Sequence, residues 1–85
     1  MSRHDIIIRV FGPQARLIGG PDIRVTLDSA GFSCATLKRV IAAQYPVLTE
    51  TLAASRIAVN FSFVADEAMI GGSDEIALIG AVSGG

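Results

Sequence analysis

The stretch DIIIRVF, Asp5 to Phe11, decides how the rest of the chain can fold. Its β-branched residues favour an extended backbone, and the pleat sends Ile6, Ile8 and Val10 to one face and Ile7, Arg9 and Phe11 to the other. A strand apolar on both faces belongs at the centre of a sheet covered on at least one side. It needs a neighbour along each edge, and the remaining sequence must supply both.

Ile23 to Leu27 (IRVTL) supplies one, with Ile23, Val25 and Leu27 directed inward and Arg24 and Thr26 toward water. The connection GPQARLIGGPD, residues 12–22, holds two prolines and three glycines and reads as a long hairpin loop. From Ser33 the period changes. Leu37, Val40, Ile41 and Gln44 share a helical face, Lys38 and Arg39 turn away as its solvated side, and Ser33 is placed to cap the start. Pro46 ends this helix near Tyr45, and Leu48 and Leu52 mark a second short helical piece. Ile57 to Phe61 (IAVNF) reads as a third strand that Ser62 to Val64 extend or follow with a small one of their own. GGSDE is a turn, and Ile76 to Ile79 (IALI) is the final strand.

Two strands, a helix and further strands give an α+β architecture of the β-grasp, or ubiquitin-like, kind: a mixed sheet wrapped over one main helix. Setting the first and last strands side by side and parallel at the centre buries both, and the intervening helix provides the crossover that parallel strands require. The expected organisation is one domain over residues 1–80 and a flexible tail over 81–85.

Composition narrows the function. A chain of 85 residues has room for one core, so an enzyme with its own deep active site is not expected. Seven basic residues against eight acidic ones give a net charge of −1, which offers nothing to a phosphate backbone and argues against nucleic acid. The hydrophobic content is 51%, yet no apolar run approaches the roughly 18 residues needed to cross a membrane. Cys34, the single cysteine, cannot form an internal disulfide, and MSRHDIIIRVF has no secretory pattern, so a cytoplasmic location is expected.

The remaining reactive side chains offer no catalytic set. Cys34 beside a helix start reads as a small buried hydrophobe before it reads as an activated thiol. His4 is alone near a frayed terminus, without the cluster that a metal needs, so no metal site is expected. Gly71 and Gly72 lack the lysine and following helix of a phosphate loop and are turn residues. No nucleophile stands with a base, and catalysis by this chain alone is not expected.

Two features remain. The last residues, GAVSGG (80–85), place an α-carboxylate on Gly85 beyond an apolar strand. A carboxylate becomes electrophilic once its oxygen is made a leaving group, as by adenylation, and glycine lets the backbone carrying it pass a narrow channel. The second feature is the sheet face opposite the helix, to which the pleat sends Phe11, Ala77 and Ile79, with Phe63 beside them. An apolar face left open in this way marks a docking site, the alternatives being that the connection GPQARLIGG covers it or that it is ordinary scattered exposure.

The β-grasp order, IAVNFSFV (57–64), GGSDEIALI (71–79) and the ending AVSGG resemble the MoaD/ThiS family of ubiquitin-like sulfur carriers, and within it the small subunit of molybdopterin synthase. The resemblance covers nearly the whole chain, with its specific part in the last third. It implies that Gly85 is the reacting position, adenylated with ATP by a MoeB/ThiF-like adenylyltransferase and converted to a thiocarboxylate, with no cofactor bound permanently. It also implies that Gly84, Ser83, Val82 and Ala81 thread the active site of a MoaE-like large subunit, where the sulfur passes to a pterin precursor of the molybdenum cofactor. Phe11, Phe63 and Ile79 match the family's docking positions. Where many members carry an aromatic residue and two prolines before the valine, this chain has LIGAV, so Gly80 and Ala81 imply a looser root for the tail. A carrier for thiamine thiazole or another metabolite, and a ubiquitin-like modifier or passive interaction module, are the alternatives.

Overall fold

The computed structural model describes residues 3–80. The anticipated tail, Ala81, Val82, Ser83, Gly84 and Gly85, lies outside the described residues. Strands β1 (His4–Val10), β2 (Asp22–Leu27), β4 (Arg56–Val59), β5 (Ser62–Phe63) and β7 (Ile76–Ile79) form one sheet in the order β2-β1-β7-β4-β5. β1 and β7 run parallel at its centre, with Ile8 opposite Ile76 and Val10 opposite Leu78, while the other pairs are antiparallel. The double-faced apolar pattern of β1 therefore has the cause inferred for it: β1 is flanked on both edges. His4, expected in a frayed end, is instead the first residue of β1 and pairs with Leu27.

Helix α2 (Cys34–Gln44) crosses the sheet and buries Leu37 and Ile41 against Ile6, Ile8, Val25, Ile57, Ile76 and Leu78. Its start is capped as the sequence suggests, Ser33 Oγ accepting the Thr36 N–H at 3.1 Å. Its end does something the periodicity does not announce. Gln44, grouped above with the buried face, lies exposed beside β2, where its side chain accepts from Thr26 N at 3.0 Å and donates to Thr26 O at 2.9 Å. Tyr45 Oη makes the same pair of bonds to Arg24 N (3.1 Å) and O (3.0 Å). Together the two side chains occupy the free edge of β2 as another strand would, which blocks edge-to-edge association there. Lys38, read as a solvated residue, is partly covered and pairs with Asp66 at 3.2 Å, a surface contact of little energetic weight.

Two local expectations are corrected, and one small sheet is found that the sequence did not announce. Residues 12–22 are not an open loop, because Pro13–Ile18 form a short helix, α1, that packs Ala15 and Ile18 on the core. Proline at its start costs no hydrogen bond, and Gly19, with φ 75°, ends it in the left-handed region that other residues resist. The third strand stops at Val59, since Asn60 (φ 51°) and Phe61 (φ 71°) form the tight turn to β5. A second, two-stranded sheet unites β3 (Gly31–Ser33) and β6 (Met69–Gly71), burying Phe32 and Ile70. The short helical piece after Pro46 is a 3-10 turn (Pro46–Leu48) continued by α3 (Thr49–Leu52), with Leu48 and Leu52 buried as expected.

No helix of the described residues is long and apolar enough to cross a membrane. Cys34 is fully buried. Burial raises its thiol pKa above the ordinary 9.0, with the Asp66 and Glu67 charges adding to the rise against a smaller lowering by Lys38 than burial imposes, so the helix start does not activate it.

Candidate functional site

The register of the sheet assembles its uncovered face. Arg9 stands opposite Ala77, Ala77 opposite Ala58, and Ala58 opposite Phe63, so one row of side chains crosses β1, β7, β4 and β5. The two alanines make a low floor. Around it rise Phe11, Phe61, Phe63 and Ile79, with Arg9 and Glu75 also lining a groove of about 230 Å³. That volume is below the usual range for a small-molecule pocket, about 300–1,000 Å³, and suits a few inserted side chains of another protein.

Three of the chain's four phenylalanines border this groove, Phe11 49%, Phe63 50% and Phe61 87% exposed, while only Phe32 enters the core. Exposing that much aromatic surface on one face is unfavourable in water unless a partner covers it. None of residues 12–22 lines the groove, so the first long connection does not cover it. Phe11, Phe63 and Ile79, singled out from the sequence, are thus brought together. Phe61 was missed as a face residue because it was assigned to a strand. The readable signal was the Asn60 before it, a residue tolerant of positive φ at a two-residue turn.

Phe61 has a costlier backbone than Asn60, about 1–2 kcal/mol for a side chain held in the left-handed region. Hydrogen bonds hold the turn in place. Asn60 N donates to Glu75 O (2.8 Å), Asn60 Oδ1 accepts from Glu75 N (3.0 Å), and Asn60 Nδ2 donates to Asp74 Oδ1 (3.1 Å). Asp74 Oδ2 in turn accepts the Gly71 N–H at 2.8 Å. The Gly71 bond first and the Asn60 bond second hold the Asp74 carboxyl below its ordinary 3.8. Gly72 lies in the turn read from the sequence, whereas Gly71, read as a turn residue too, ends β6 and pairs with Gly31.

Ile79 closes one end of the groove, and Gly80 follows it on the opposite side of the pleat. There Gly80 meets Gln14 of α1: a Cβ on Gly80 would stand 3.1 Å from Gln14 Oε1 and 3.4 Å from Cδ. A side chain at Gly80 would therefore press on Gln14, which glycine avoids. Gln14 is itself buried, and its amide ties α1 to the helical segment beyond α2, donating to Thr51 Oγ1 at 2.9 Å and Ser55 Oγ at 2.6 Å. Among the described residues no group of three or more His, Cys, Asp or Glu gathers where a metal ion could sit.

Solved structures share this fold. Small archaeal modifier protein 1 from Haloferax volcanii superposes with a TM-score of 0.77 at 20% identity, over 95% of this chain and 99% of that one. The protein of the same name from Methanosarcina acetivorans gives 0.75 at 16% identity over 100% of both chains. A chain from the complex of subunits 1 and 2 of the molybdopterin-converting factor of Helicobacter pylori gives 0.63 at 24% identity, over 95% of this chain and 99% of that one. These likenesses show the fold: α+β, ubiquitin-like, β-grasp. No curated protein matches the sequence. The sequence model of the ThiS family matches residues 8–85, nearly all of the chain and the whole of its final segment. The chain belongs to the ThiS family, within the MoaD/ThiS-like group of ubiquitin-like sulfur carriers.

Proposed function

We propose that this protein carries sulfur on Gly85 and is the small subunit of a two-protein molybdopterin synthase. In the first step a MoeB/ThiF-like adenylyltransferase joins the Gly85 carboxylate to the α-phosphorus of ATP, releasing pyrophosphate. A sulfide equivalent then attacks the acyl carbon, AMP leaves with the bonding pair, and a thiocarboxylate remains. In the second, a MoaE-like large subunit seats the apolar groove and receives residues Ala81, Val82, Ser83 and Gly84 in its active site, where the sulfur passes to a pterin precursor. The carrier supplies neither a base nor a metal to these steps. Its body supplies binding energy to offset the cost of ordering the tail, about 1–2 kcal/mol per residue. Such chemistry belongs to a cytoplasmic setting.

The observation that carries the reading is the aromatic groove ending at Ile79, one residue before the root of the tail. Intact mass after incubation with a MoeB/ThiF-type enzyme, ATP and sulfide is expected to show one oxygen replaced by sulfur. Replacing both Phe11 and Phe63 by Ser should leave the fold intact and weaken binding of the large subunit on the order of thirtyfold or more, as for central aromatic anchors. An unchanged mass with a competent enzyme refutes the proposal.

A second reading draws on the likeness to small archaeal modifier proteins: the same activated Gly85 would be joined to lysine amines of other proteins. Covalent adducts in extracts, dependent on ATP, would favour it. Complementation of molybdenum-cofactor and thiamine auxotrophs separates the pterin route from delivery to a thiazole.

A further inference from the structure

Val59 of β4 pairs with Ser62 of β5, so Asn60 and Phe61 are the whole of the loop between them. A two-residue turn with φ positive at both positions is best served by Asn followed by Gly, and Asn60 meets the first half of that preference. Phe61 departs from the second half. Its Cβ crowds the backbone at φ 71°, and the residue is 87% exposed, so its ring gains almost nothing from the fold in return. A side chain unfavourable both for its backbone and for its hydration is accounted for by what it does in a complex.

The ring also differs from its neighbours in what would cover it. Phe11 and Phe63 are half-exposed, each resting partly on the protein, and a flat surface laid over them would bury them. Phe61 stands clear on nearly all sides, so only a concavity that surrounds the ring can do the same. Its mount is rigid. Asn60 is bonded through N, Oδ1 and Nδ2 to Glu75 and Asp74, which fixes the turn before any encounter and keeps the ordering cost low. Charge indicates what kind of body holds the concavity. Arg9 and Glu75 line the adjoining groove, and among the described residues the single ion pair is that of Lys38 with Asp66, so both charges are left for groups of opposite sign on another molecule. A folded protein can set such groups around an apolar pocket, whereas an acyl layer would strip the water from Glu75.

We propose that Phe61 is the projecting anchor of the docking face, its ring entering a closed apolar pocket of the large subunit beside the surface that covers Phe11, Phe63 and Ile79. The inference rests on the proposed function for the identity of the partner, and on the turn for the role of the residue. It gives Phe61 a part in the choice among partners, because a protein without the pocket would meet the ring with a clash or leave it in water.

Phe61→Gly separates the two costs from the gain. Glycine relieves the backbone, so the variant is expected to unfold at higher denaturant, with its unfolding equilibrium constant lowered about threefold. Its affinity for the MoaE-like large subunit of the same organism, measured by calorimetry, is expected to fall about thirtyfold or more, as for a buried aromatic anchor. Greater stability and weaker binding in one variant is a combination that a structural role for the ring does not produce. A variant that is less stable or unfolded, or that binds the large subunit as tightly as the unaltered protein, overturns the proposal and leaves the mass test of the sulfur-carrier reading untouched. Absence of binding by the unaltered protein refutes the two-protein reading and this inference together. Self-association in sedimentation, or retention on vesicles of phosphatidylcholine and phosphatidylglycerol, that Phe61→Gly abolishes would assign the ring to a second copy or to a lipid surface and likewise overturns the proposal.

Discussion

The guanidinium of Arg56 lies over the ring of Phe63, with Cζ 4.1 Å from the ring centroid. Arg56 and Ala58 are two residues apart on β4, and Ala58 pairs with Phe63, so the cation reaches diagonally across the open face and holds the ring at the groove wall. Replacing Arg56 by Ala is expected to cost about 0.5–1 kcal/mol of stability, the usual worth of an exposed cation–π pair. Affinity for the proposed large subunit should fall as well, because Phe63 then has to be ordered on binding. Lys at this position should recover only part of the loss, since an ammonium cannot stack flat on the ring. Denaturant titration and calorimetric binding measure the two effects, and an unchanged affinity would remove Arg56 from the docking face.

The Asp74 bridge predicts an acid-sensitive turn. In the unfolded chain the bonds from Gly71 and Asn60 are gone and the carboxyl returns to its ordinary 3.8, so the folded state binds the proton less readily. The stabilisation is therefore fully present above that value and is lost as pH falls through the lower pKa of the folded state. Asp74→Asn should remove this part of the acid dependence. A carboxyl titration by carbon NMR should place Asp74 below 3.8, and a midpoint above it would contradict the geometry.

Cys34 should be inert while the domain stays folded. Burial keeps its thiol protonated at neutral pH, and a reagent reaches it only through opening of α2 and the β3–β6 sheet. With its folded pKa raised, its contribution to stability is complete below 9.0 and declines as pH rises toward that of the folded state. A thiol reagent in excess should modify one site in denaturant and none without it over the same interval. Rapid labelling of the native protein would show that the helix start is exposed.

Where the sequence reading succeeded, a strong period or a full pattern was present. Alternation in β1, β2 and β7 separated Ile6, Ile8, Val10, Ile76 and Leu78 from Phe11, Ala77 and Ile79, and the faces are those observed. The parallel centre followed from the need to flank β1 on both edges. What escaped was short and held by distant contacts. Six residues of α1 have no periodicity to display between flanking prolines and glycines, and their anchor is Gln14 bonding to residues 37 and 41 positions away. β3 and β6 are three residues each and exist only as a pair. Phe61 looked like strand because phenylalanine favours strands, yet tertiary bonds around Asn60 hold it in a turn. The groove was legible as a face, while its outline needed that turn.

The parallel pairing of β1 with β7 also governs when the protein can exist at all. Ile8 meets Ile76 across a separation of 68 positions (76 − 8), a loop that must close before the two halves of the sheet are joined. A nascent or truncated polypeptide that stops short of Ile76 has β1 and β4 with nothing between them, and no continuous core. The sheet is thus completed only by the strand that lies at its centre, so any truncation before Ile76 divides it into two unjoined pieces.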